Sequence, residues 1–313
     1  MQYDVIVVGE LNVDLLLNEI AELPSVGKEI LAQKMNLSLG SSAAIFACNL
    51  STLGTKVAFI GNVGKDYFGS FCIDSLKEKN VATTFLNTDN EIGTGITVVM
   101  NYDEDRAMLT YQGAMKTFSI DQINLDNIKS ARHLHFSSYF LQPGLAPDIL
   151  KLFKKAKESG LTVSFDPQWD PDETWDLDMK VILPYVDIFL PNKKEFMALA
   201  RSDDWEKSLF ELEEYSNIIV IKDGNNGSYV FHDKKIKPCD PFLNNQVVDS
   251  IGAGDSFNAG FIYQFINDKS IDKCQEYANL VGAVSTTAEG GTGAFRNKET
   301  VKEIAEKRFG FRE

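Results

Sequence analysis

Short apolar runs alternate with amphipathic stretches along most of the chain. The runs are rich in β-branched residues and end at turn residues, and they lie at 3–9, 56–61, 131–138, 161–166, 186–191 and 217–224. Such runs are typical of strands that are buried on both faces. Residues 41–53 and 147–159 instead repeat apolar side chains at helical spacing. Strands and helices in alternation predict a mostly parallel central sheet flanked by helices, a three-layer α/β sandwich.

Two regions depart from this alternation. Residues 11–39 contain short extended pieces without a helical pattern, and residues 92–112 form a hairpin pattern that turns at Asp103–Asp105. We expect these two segments to pair into a small separate sheet that acts as a lid. Beyond residue 252 the pattern predicts helices alone, at 252–268, 271–288 and 298–308. The expected organisation is a single domain over residues 1–313 with a β-sheet lid.

Composition narrows the partners and the compartment. The chain has 45 acidic and 31 basic residues and a formal net charge of -14. A protein this acidic is repelled by nucleic acid and by anionic membranes, so neither is an expected partner. The four cysteines form no CxxC pair, which suits reduced thiols in a cytoplasmic protein. No apolar stretch reaches the roughly 18–20 residues that a membrane-spanning helix needs.

The most specific chemical signal is the stretch DSIGAGDSFNAGF at residues 249–261. Gly252 and Gly254 permit backbone angles that are closed to other residues, and a helical pattern follows them. The unpaired N–H groups at the start of a helix carry partial positive charge and attract anions. Asp255 nevertheless places a second anion in that same first turn.

Two explanations fit this carboxylate. An acid in the first turn stabilises a helix by about 0.3–1 kcal/mol, which requires no chemistry. Alternatively, a phosphoryl group is transferred at this turn, so that backbone N–H groups stabilise its charge while Asp255 takes the proton of the attacking hydroxyl. The second explanation also accounts for two glycines that each cost stability and for a second acid, Asp249.

Other nucleotide and metal motifs are incomplete. Two glycine clusters could begin a dinucleotide fingerprint, but both lack its third glycine. The Gly-Lys pairs at 27–28 and 64–65 are not followed by Ser or Thr, so a P-loop is absent. His133 and His135 alternate on a predicted strand, and we expect them to have a buried or an edge-strand role rather than to bind a metal. A dehydrogenase and a P-loop NTPase are therefore disfavoured.

Five motifs together resemble the ribokinase-like (PfkB) carbohydrate kinases. DSIGAGDSFNAGF is similar to the second signature of that family, D-T-x-G-A-G-D-x-F, and LGSSAAIFACNLSTLGTKVAFIGNVGKDYFG is similar to the first. VVGELNVDLLL resembles its first strand and substrate acid, NKKEF at 192–196 its N-x-x-E, and KDGNNG at 222–227 its nucleotide loop. The motifs occur in the order of the family and span nearly the whole chain. The resemblance implies the ribokinase-like sandwich with a small β-sheet lid.

The same resemblance implies a reaction, the ATP-dependent transfer of a γ-phosphoryl group to a hydroxyl of a small sugar in the presence of Mg²⁺. It makes Asp255 the catalytic base and the backbone of Gly252, Ala253 and Gly254 the anion hole. The sugar would be bound by Asn12, Asp14, Gly40 and Ser41, and Arg106 on the lid hairpin is the one tempting cation for a charged substrate. The nucleotide would be bound by Asn192, Glu195, Lys222, Gly224, Gly227 and Asn279, with Glu195 acting on Mg²⁺ through water. Part of a monovalent-cation site, for K⁺, is matched by Asp249, Ile251 and Gly291.

Departures from the family pattern favour a neutral sugar, similar to ribose or fructose. Ser41 and Ile45 replace a glycine and an asparagine that the family places near the sugar. The segment DPQWDP, which follows the strand predicted at 161–166, lacks the arginine of the family's D-x-N-x-R, so a sugar acid would lose its bidentate partner. A phosphorylated sugar would need a basic cluster that the sequence does not contain.

Two alternatives stay open at this point. One is a nucleoside kinase of the same fold, for which Phe46 or Tyr102 would clamp the base. The other is a non-catalytic regulator that binds a sugar or a nucleotide. Because lid sheets with an exposed apolar face often pair in this family, a homodimer through the lid is also expected.

Overall fold

The computed structural model describes residues 1–22, 24–102 and 105–312, and within them the side chains of residues 105 and 106 are not described. The strands are β1 (Val5–Val8), β2 (Asn12–Ile20), β3 (Ala32–Leu39), β4 (Val57–Gly64), β5 (Ala82–Asp89), β6 (Gly95–Tyr102), β7 (Asp105–Tyr111), β8 (His133–Ser137), β9 (Thr162–Asp166), β10 (Ile188–Phe189), β11 (Ile218–Lys222), β12 (Ser228–His232) and β13 (Lys235–Cys239). The helices are α1 (Ser42–Thr52), α2 (Tyr67–Glu78), α3 (Ala114–Thr117), α4 (Ile149–Glu158), α5 (Met179–Ile182), α6 (Lys193–Ala200), α7 (Trp205–Glu211), α8 (Ala253–Phe265), α9 (Ile271–Ser285) and α10 (Lys298–Phe309).

The larger sheet has nine strands in the order β13-β12-β11-β10-β9-β8-β1-β4-β5. Seven neighbouring strands of this sheet, β11, β10, β9, β8, β1, β4 and β5, pair in parallel. The remaining strands, β12 and β13, add an antiparallel edge. The predicted mostly parallel sheet is therefore confirmed, and every run that the pattern predicted as a strand lies in it. The pattern does not predict β5, β12 and β13. Of these, β5 and β13 are edge strands that are only partly buried, so they carry no continuous apolar run.

The helical segments predicted at 41–53 and 147–159 correspond to α1 and α4, and local capping explains where α1 and α2 begin. Ser41 precedes α1, and its Oγ accepts a hydrogen bond of 3.0 Å from the backbone N–H of Ala44. Asp66 caps α2 in the same way, through the N–H of Gly69 at 2.7 Å. The chain beyond residue 252 forms α8, α9 and α10, as the helical pattern predicts. No helix in the described residues is both long enough and apolar enough to cross a membrane.

A row of hydrogen-bonded polar side chains lies in the otherwise apolar interior of the larger sheet. His133 and His135 are fully buried, as expected, and both bond to the hydroxyl of Ser164 at 2.7 Å. The other ring nitrogen of His133 bonds to Thr162 at 2.7 Å. Burial lowers the pKa of His133 to about 3 and that of His135 well below its usual value, so both rings are neutral at pH 7. The pair is thus a structural element of the core.

The segments at 11–39 and 92–112 meet in a second sheet of four strands, in the order β3-β2-β6-β7. One face of this sheet points into a large cavity, which Asp14, Thr97, Val99, Met108 and Thr110 help to line. The opposite face is apolar and includes the exposed side chains of Met35, Leu109 and Tyr111. The structure therefore contains the expected small sheet. Its action as a lid and its pairing into a homodimer stay predictions, and residues 103–104 of the predicted turn lie outside the described residues.

Candidate active site

A cavity of about 1110 Å³ opens at the carboxyl ends of the parallel strands. In open α/β sheets, ligands bind at this edge. Most of the site residues named from the sequence line it, and they come from the body and from the small sheet: Asn12, Asp14, Ser41, Asn192, Glu195, Lys222, Gly224, Gly227, Ile251, Gly252, Ala253, Gly254, Asp255 and Asn279. Gly40, Asp249 and Gly291 are not part of this lining, and the side chain of Arg106 is not described.

The turn before α8 requires glycine at residue 252. The backbone of Gly252 is left-handed, with φ at 74°, and a Cβ there would lie 2.7 Å from the Cα of Gly291 and 3.0 Å from a methyl carbon of Ile45. Ile45 thus packs against the loop where the family pattern has an asparagine. Residues 252–255 line the cavity at the start of α8, where helix N–H groups lack carbonyl partners within the helix, although the N–H of Ala253 donates to the carbonyl of Ser250 at 3.3 Å. The arrangement suits an anion at the positive end of the helix.

Asp255 is buried in the first turn of α8, yet it belongs to the cavity lining. Its Oδ1 accepts a hydrogen bond of 3.1 Å from the side-chain amide of Gln168, and the hydroxyl of Ser42 also bonds to it. Burial, followed by the charge of Asp166, raises the pKa of Asp255 to about 6, against the opposing charge of Lys222. This carboxylate is ionised at pH 7 but has a higher proton affinity than an exposed aspartate.

Asp166 and Lys222 form a buried ion pair beside Asp255. The Nζ of Lys222 lies 2.6 Å from Oδ2 of Asp166, and the same oxygen accepts bonds from Asn258 at 2.5 Å and Gln168 at 3.0 Å. Burial alone would lower the pKa of Lys222, but the charges of Asp166 and Glu195 outweigh it and raise that pKa. The family pattern assigns Lys222 to the nucleotide. In this structure Lys222 also fixes the position of Asp166, the carboxylate that lies beside Asp255.

The predicted sugar residues form one polar cluster between β2, β6 and the start of α1. The amide nitrogen of Asn12 donates to Oδ1 of Asp14 at 3.1 Å and to the hydroxyl of Thr97 at 3.2 Å. A Cβ on Gly40 would collide with the carboxylate of Asp14, so glycine allows this acid to approach the turn. Ser41 donates to the backbone carbonyl of Glu10 at 2.6 Å and thereby anchors the turn to the segment that follows β1.

The predicted nucleotide residues line the same cavity. Asn192 and Glu195 form a capping box at α6, in which Oε2 of Glu195 accepts the N–H of Asn192 at 2.8 Å. Burial, with the charge of Asp166 next, raises the pKa of Glu195 to about 7. Gly224 and Gly227 are both left-handed, with φ at 54° and 85°. Asn279 donates to the backbone carbonyls of residues 239 and 240, so it also fixes the loop beside the cavity.

The residues predicted to bind a monovalent cation connect two loops through hydrogen bonds. Oδ1 of Asp249 accepts the N–H of Ile251 and Oδ2 accepts the N–H of Gly290, both at 2.9 Å. The carbonyl of Gly291 accepts a bond of 2.9 Å from Asn49. These contacts explain Asp249 without an ion, and the cation site stays a prediction.

Two expectations about aromatic residues receive no support from the geometry. Phe46 is fully buried and stacks on His135 with ring centroids 3.7 Å apart, so it cannot clamp a base in the cavity. Tyr102 is absent from the cavity lining, and its hydroxyl bonds to the sulfur of Met100. The aromatic ring that does lie in the cavity with a large exposed area is Trp169.

Several polar residues of the site have no signal in the sequence that marks them individually. Gln168 bonds to Asp255, Ser42 bonds to Asp255, and Asn258 bonds to Asp166. Glu10 lines the cavity, and burial raises its pKa to about 8, so it is neutral at pH 7. Gln168 and Glu10 each follow the end of a buried parallel strand closely, and that position is the one available clue.

Comparison with known proteins identifies the family of the chain. The pfkB family carbohydrate kinase model matches residues 2–298. An uncharacterized sugar kinase of Archaeoglobus fulgidus is 32% identical over 235 residues, which cover 75% of this chain and 92% of that protein. An ATP-dependent ribose-1-phosphate kinase of Halopiger xanaduensis is 29% identical and covers 91% of this chain and 93% of its own length. The Arabidopsis thaliana ribokinase complexed with ribose and ATP superimposes with a TM-score of 0.83 at 23% identity, over 97% of this chain and 99% of that one.

The class defined by these relatives is that of the sugar kinases, phosphotransferases that use an alcohol group as acceptor. The chain belongs to the pfkB family of carbohydrate kinases, and its fold is ribokinase-like.

The turn at Gly252 yields a test of its strict glycine requirement. Gly252→Ala adds a left-handed alanine and a clash with Gly291, whereas Gly160→Ala adds a left-handed alanine at φ 82° with no atom within 4 Å of its Cβ. We expect Gly160→Ala to lower the free energy of unfolding by about 1–2 kcal/mol. Gly252→Ala should cost about 1–3 kcal/mol more, because the neighbouring loop must move. Urea denaturation of both variants measures the difference, and equal costs would contradict the packing argument.

Proposed function

We propose that the protein transfers the γ-phosphoryl group of ATP to a hydroxyl of a small neutral sugar, with Asp255 as the general base. One observation carries the proposal: Asp255 is a buried carboxylate in the first turn of α8, and it lines a cavity together with Gly252, Ala253 and Gly254 at the start of that helix. A base and an anion site within one turn are what attack of a hydroxyl on a phosphoryl group requires.

In this reaction the sugar oxygen forms a bond to the γ-phosphorus, the bond from that phosphorus to the β-bridging oxygen breaks, and the hydroxyl proton passes to Asp255. The raised pKa of Asp255, about 6, makes its carboxylate a better proton acceptor while it stays ionised at pH 7. Gln168 and Ser42 hold the carboxylate in place through hydrogen bonds. The backbone N–H groups of residues 252–255 would stabilise the charge on the transferred group.

The nucleotide end fits Mg²⁺ that is held mainly by phosphate and water. Across the described part of the chain, no cluster of three or more His, Cys, Asp or Glu residues could enclose a metal. Asn192 and Glu195 nevertheless bring oxygen atoms to the cavity wall, and hard oxygen ligands acting through water suit Mg²⁺. When bound there, the ion would neutralise charge on the phosphates of ATP. K⁺ beside Asp249 belongs to the proposal only as a secondary element.

Charge in the cavity favours a neutral substrate. Among the lining residues that the structure describes, the one cationic side chain is Lys222, and it is paired with Asp166. Asp170 stands where the family pattern has an arginine, and this buried acid accepts hydrogen bonds from the loop that follows it. A phosphate on the sugar would therefore meet carboxylates rather than a cation. The name of one relative, a ribose-1-phosphate kinase, makes phosphorylated ribose the substrate to test against.

The base is tested by Asp255→Asn, with Asp74→Asn on the exposed surface of α2 as a matched control. The amide keeps the shape of the side chain but cannot accept the proton, so we expect kcat to fall by about a hundredfold to ten-thousandfold. Affinity for ATP and for the sugar, measured by calorimetry, should change little. Full turnover in Asp255→Asn, or loss of both ligands with the fold intact, would refute the assigned role.

The rate should also depend on the ionisation of Asp255. Its pKa is raised to about 6, so the base form is lost as the pH falls through that value. We expect kcat/KM to be flat above about pH 7 and to fall about tenfold per pH unit well below 6. The profile is measured between pH 4.5 and 8 at fixed ionic strength. If kcat/KM instead falls only near pH 4, the usual pKa of an exposed aspartate, the base is either a different residue or a carboxylate exposed to solvent.

Substrate class is tested by an ATP-consumption screen of ribose, fructose, sugar acids, ribose 1-phosphate and adenosine. We expect the neutral sugars to give higher kcat/KM than the anionic ones, because the described lining holds no unpaired cation for them. A preference for ribose 1-phosphate would overturn the neutral assignment. In that case Arg106→Ala tests whether the lid arginine binds the phosphate of the substrate. If it does, the variant loses activity on ribose 1-phosphate but keeps activity on ribose.

A further inference from the structure

The indole ring of Trp169 is an apolar surface exposed inside the substrate end of the cavity. It lines the same cavity as Asp255, and 44% of the residue is exposed. The preceding residue, Gln168, bonds directly to Asp255, so the ring is one residue away from a contact to the reacting centre. Large aromatic surface that faces a cavity gains stability when a ligand covers it.

The ring is held in place by its neighbours. Trp169 packs edge-on against Trp175 with centroids 4.9 Å apart, and Trp175 packs edge-on against Phe140 at 5.6 Å. The backbone N–H of Trp175 donates to Oδ2 of the buried Asp170 at 2.7 Å, which fixes the loop that carries both tryptophans. Gln168 adopts a left-handed backbone with φ at 60°, a conformation that non-glycine residues adopt mainly where their surroundings compel it. The indole is therefore preorganised.

The rest of this end of the cavity is consistent with a ring-shaped ligand. Leu141 and Pro171 from the body and Val99 and Met108 from the small sheet are apolar residues of the cavity that Trp169 lines. Polar groups of the same lining include those of Asn12, Asp14, Thr97 and Thr110. A sugar ring has hydroxyls at its edge and C–H groups on its face, so it matches a polar cluster together with an aromatic platform. The negative face of the indole also favours the partially positive hydrogens of such a ring.

We propose that Trp169 is a specificity-determining residue on which the apolar face of the substrate ring stacks, so that the enzyme selects cyclic substrates over open-chain ones with the same hydroxyls. This inference deepens the proposed function, since it assumes that the substrate lies at the Asp255 end of the cavity. The stacked ring belongs either to a sugar in its cyclic form or to the base of a nucleoside. The chemistry shared by both is a flat apolar ring face.

Binding without ATP tests the stack independently of catalysis. Addition of ribose or fructose should change the tryptophan fluorescence of the wild-type protein and of Trp205→Phe, a control in which the altered ring packs against Tyr229 outside the cavity lining. The change should be absent in Trp169→Phe. If the sugar-dependent signal persists in Trp169→Phe, the inference is overturned. If adenosine alone gives a signal that depends on Trp169, stacking stands and the ring is a base.

Kinetics tests the preference for a ring. In Trp169→Ala the KM for a cyclic sugar should rise about threefold to tenfold, the worth of an aromatic contact, with kcat nearly unchanged. The open-chain alditols ribitol and glucitol should bind poorly to the wild-type protein and be unaffected by the substitution. If Trp169→Ala weakens the binding of cyclic sugars and of open-chain alditols equally, or weakens neither, the proposal is overturned. Absence of turnover with every substrate, together with a persisting sugar-dependent fluorescence change, would refute the proposed reaction and leave the stack intact.

Discussion

The buried ion pair between Lys222 and Asp166 is the interaction on which the site depends. Asp166 ends β9 and Lys222 ends β11, so the pair joins two strands that are separated by β10. Asn258 of α8 and Gln168 bond to the same carboxylate, which ties the helix bearing Asp255 to the edge of the sheet. Loss of one partner from such a pair leaves an uncompensated buried charge, at a cost of about 3–5 kcal/mol. The position of the proposed base is thus coupled to the stability of the fold.

Negative charge dominates this edge of the sheet. Asp255, Asp166 and Glu195 share one buried cation, Lys222, and each of the pKa values of Asp255 and Glu195 is raised by burial and by the neighbouring carboxylate. Carboxylates in this number disfavour an anionic ligand unless positive charge accompanies it. In the proposed reaction, the N–H groups at the start of α8 and the Mg²⁺ of the nucleotide supply that charge. A neutral sugar brings no further negative charge.

The substrate end combines two parts of different origin. The floor, around Asp255 and Gln168, belongs to the larger sheet and to α8, and it is tied by buried hydrogen bonds. The opposite wall, which includes Met108, comes from a separate four-stranded sheet. Trp169 lies on the floor side with its own aromatic support from Trp175. A rigid platform opposite a wall on another sheet would allow closure on a ring-shaped ligand, as the lid prediction supposes.

Local patterns in the sequence were sufficient for the buried parallel strands β1, β4 and β8–β11, for the C-terminal helices and for the turn at Gly252. Strands buried on both faces form continuous apolar runs, and glycine is the residue that most readily adopts a left-handed backbone. The edge strands β5 and β13 were not predicted, because half-buried strands lack continuous apolar runs. Tertiary structure alone decided the partners of the site: Gln168 meets Asp255 from 87 positions away, and Lys222 meets Asp166 from 56. It also buried Phe46 in the core and left Trp169 in the cavity. Such contacts join residues distant in sequence, and which ones meet depends on how the whole sheet twists and packs, information that no local spacing contains.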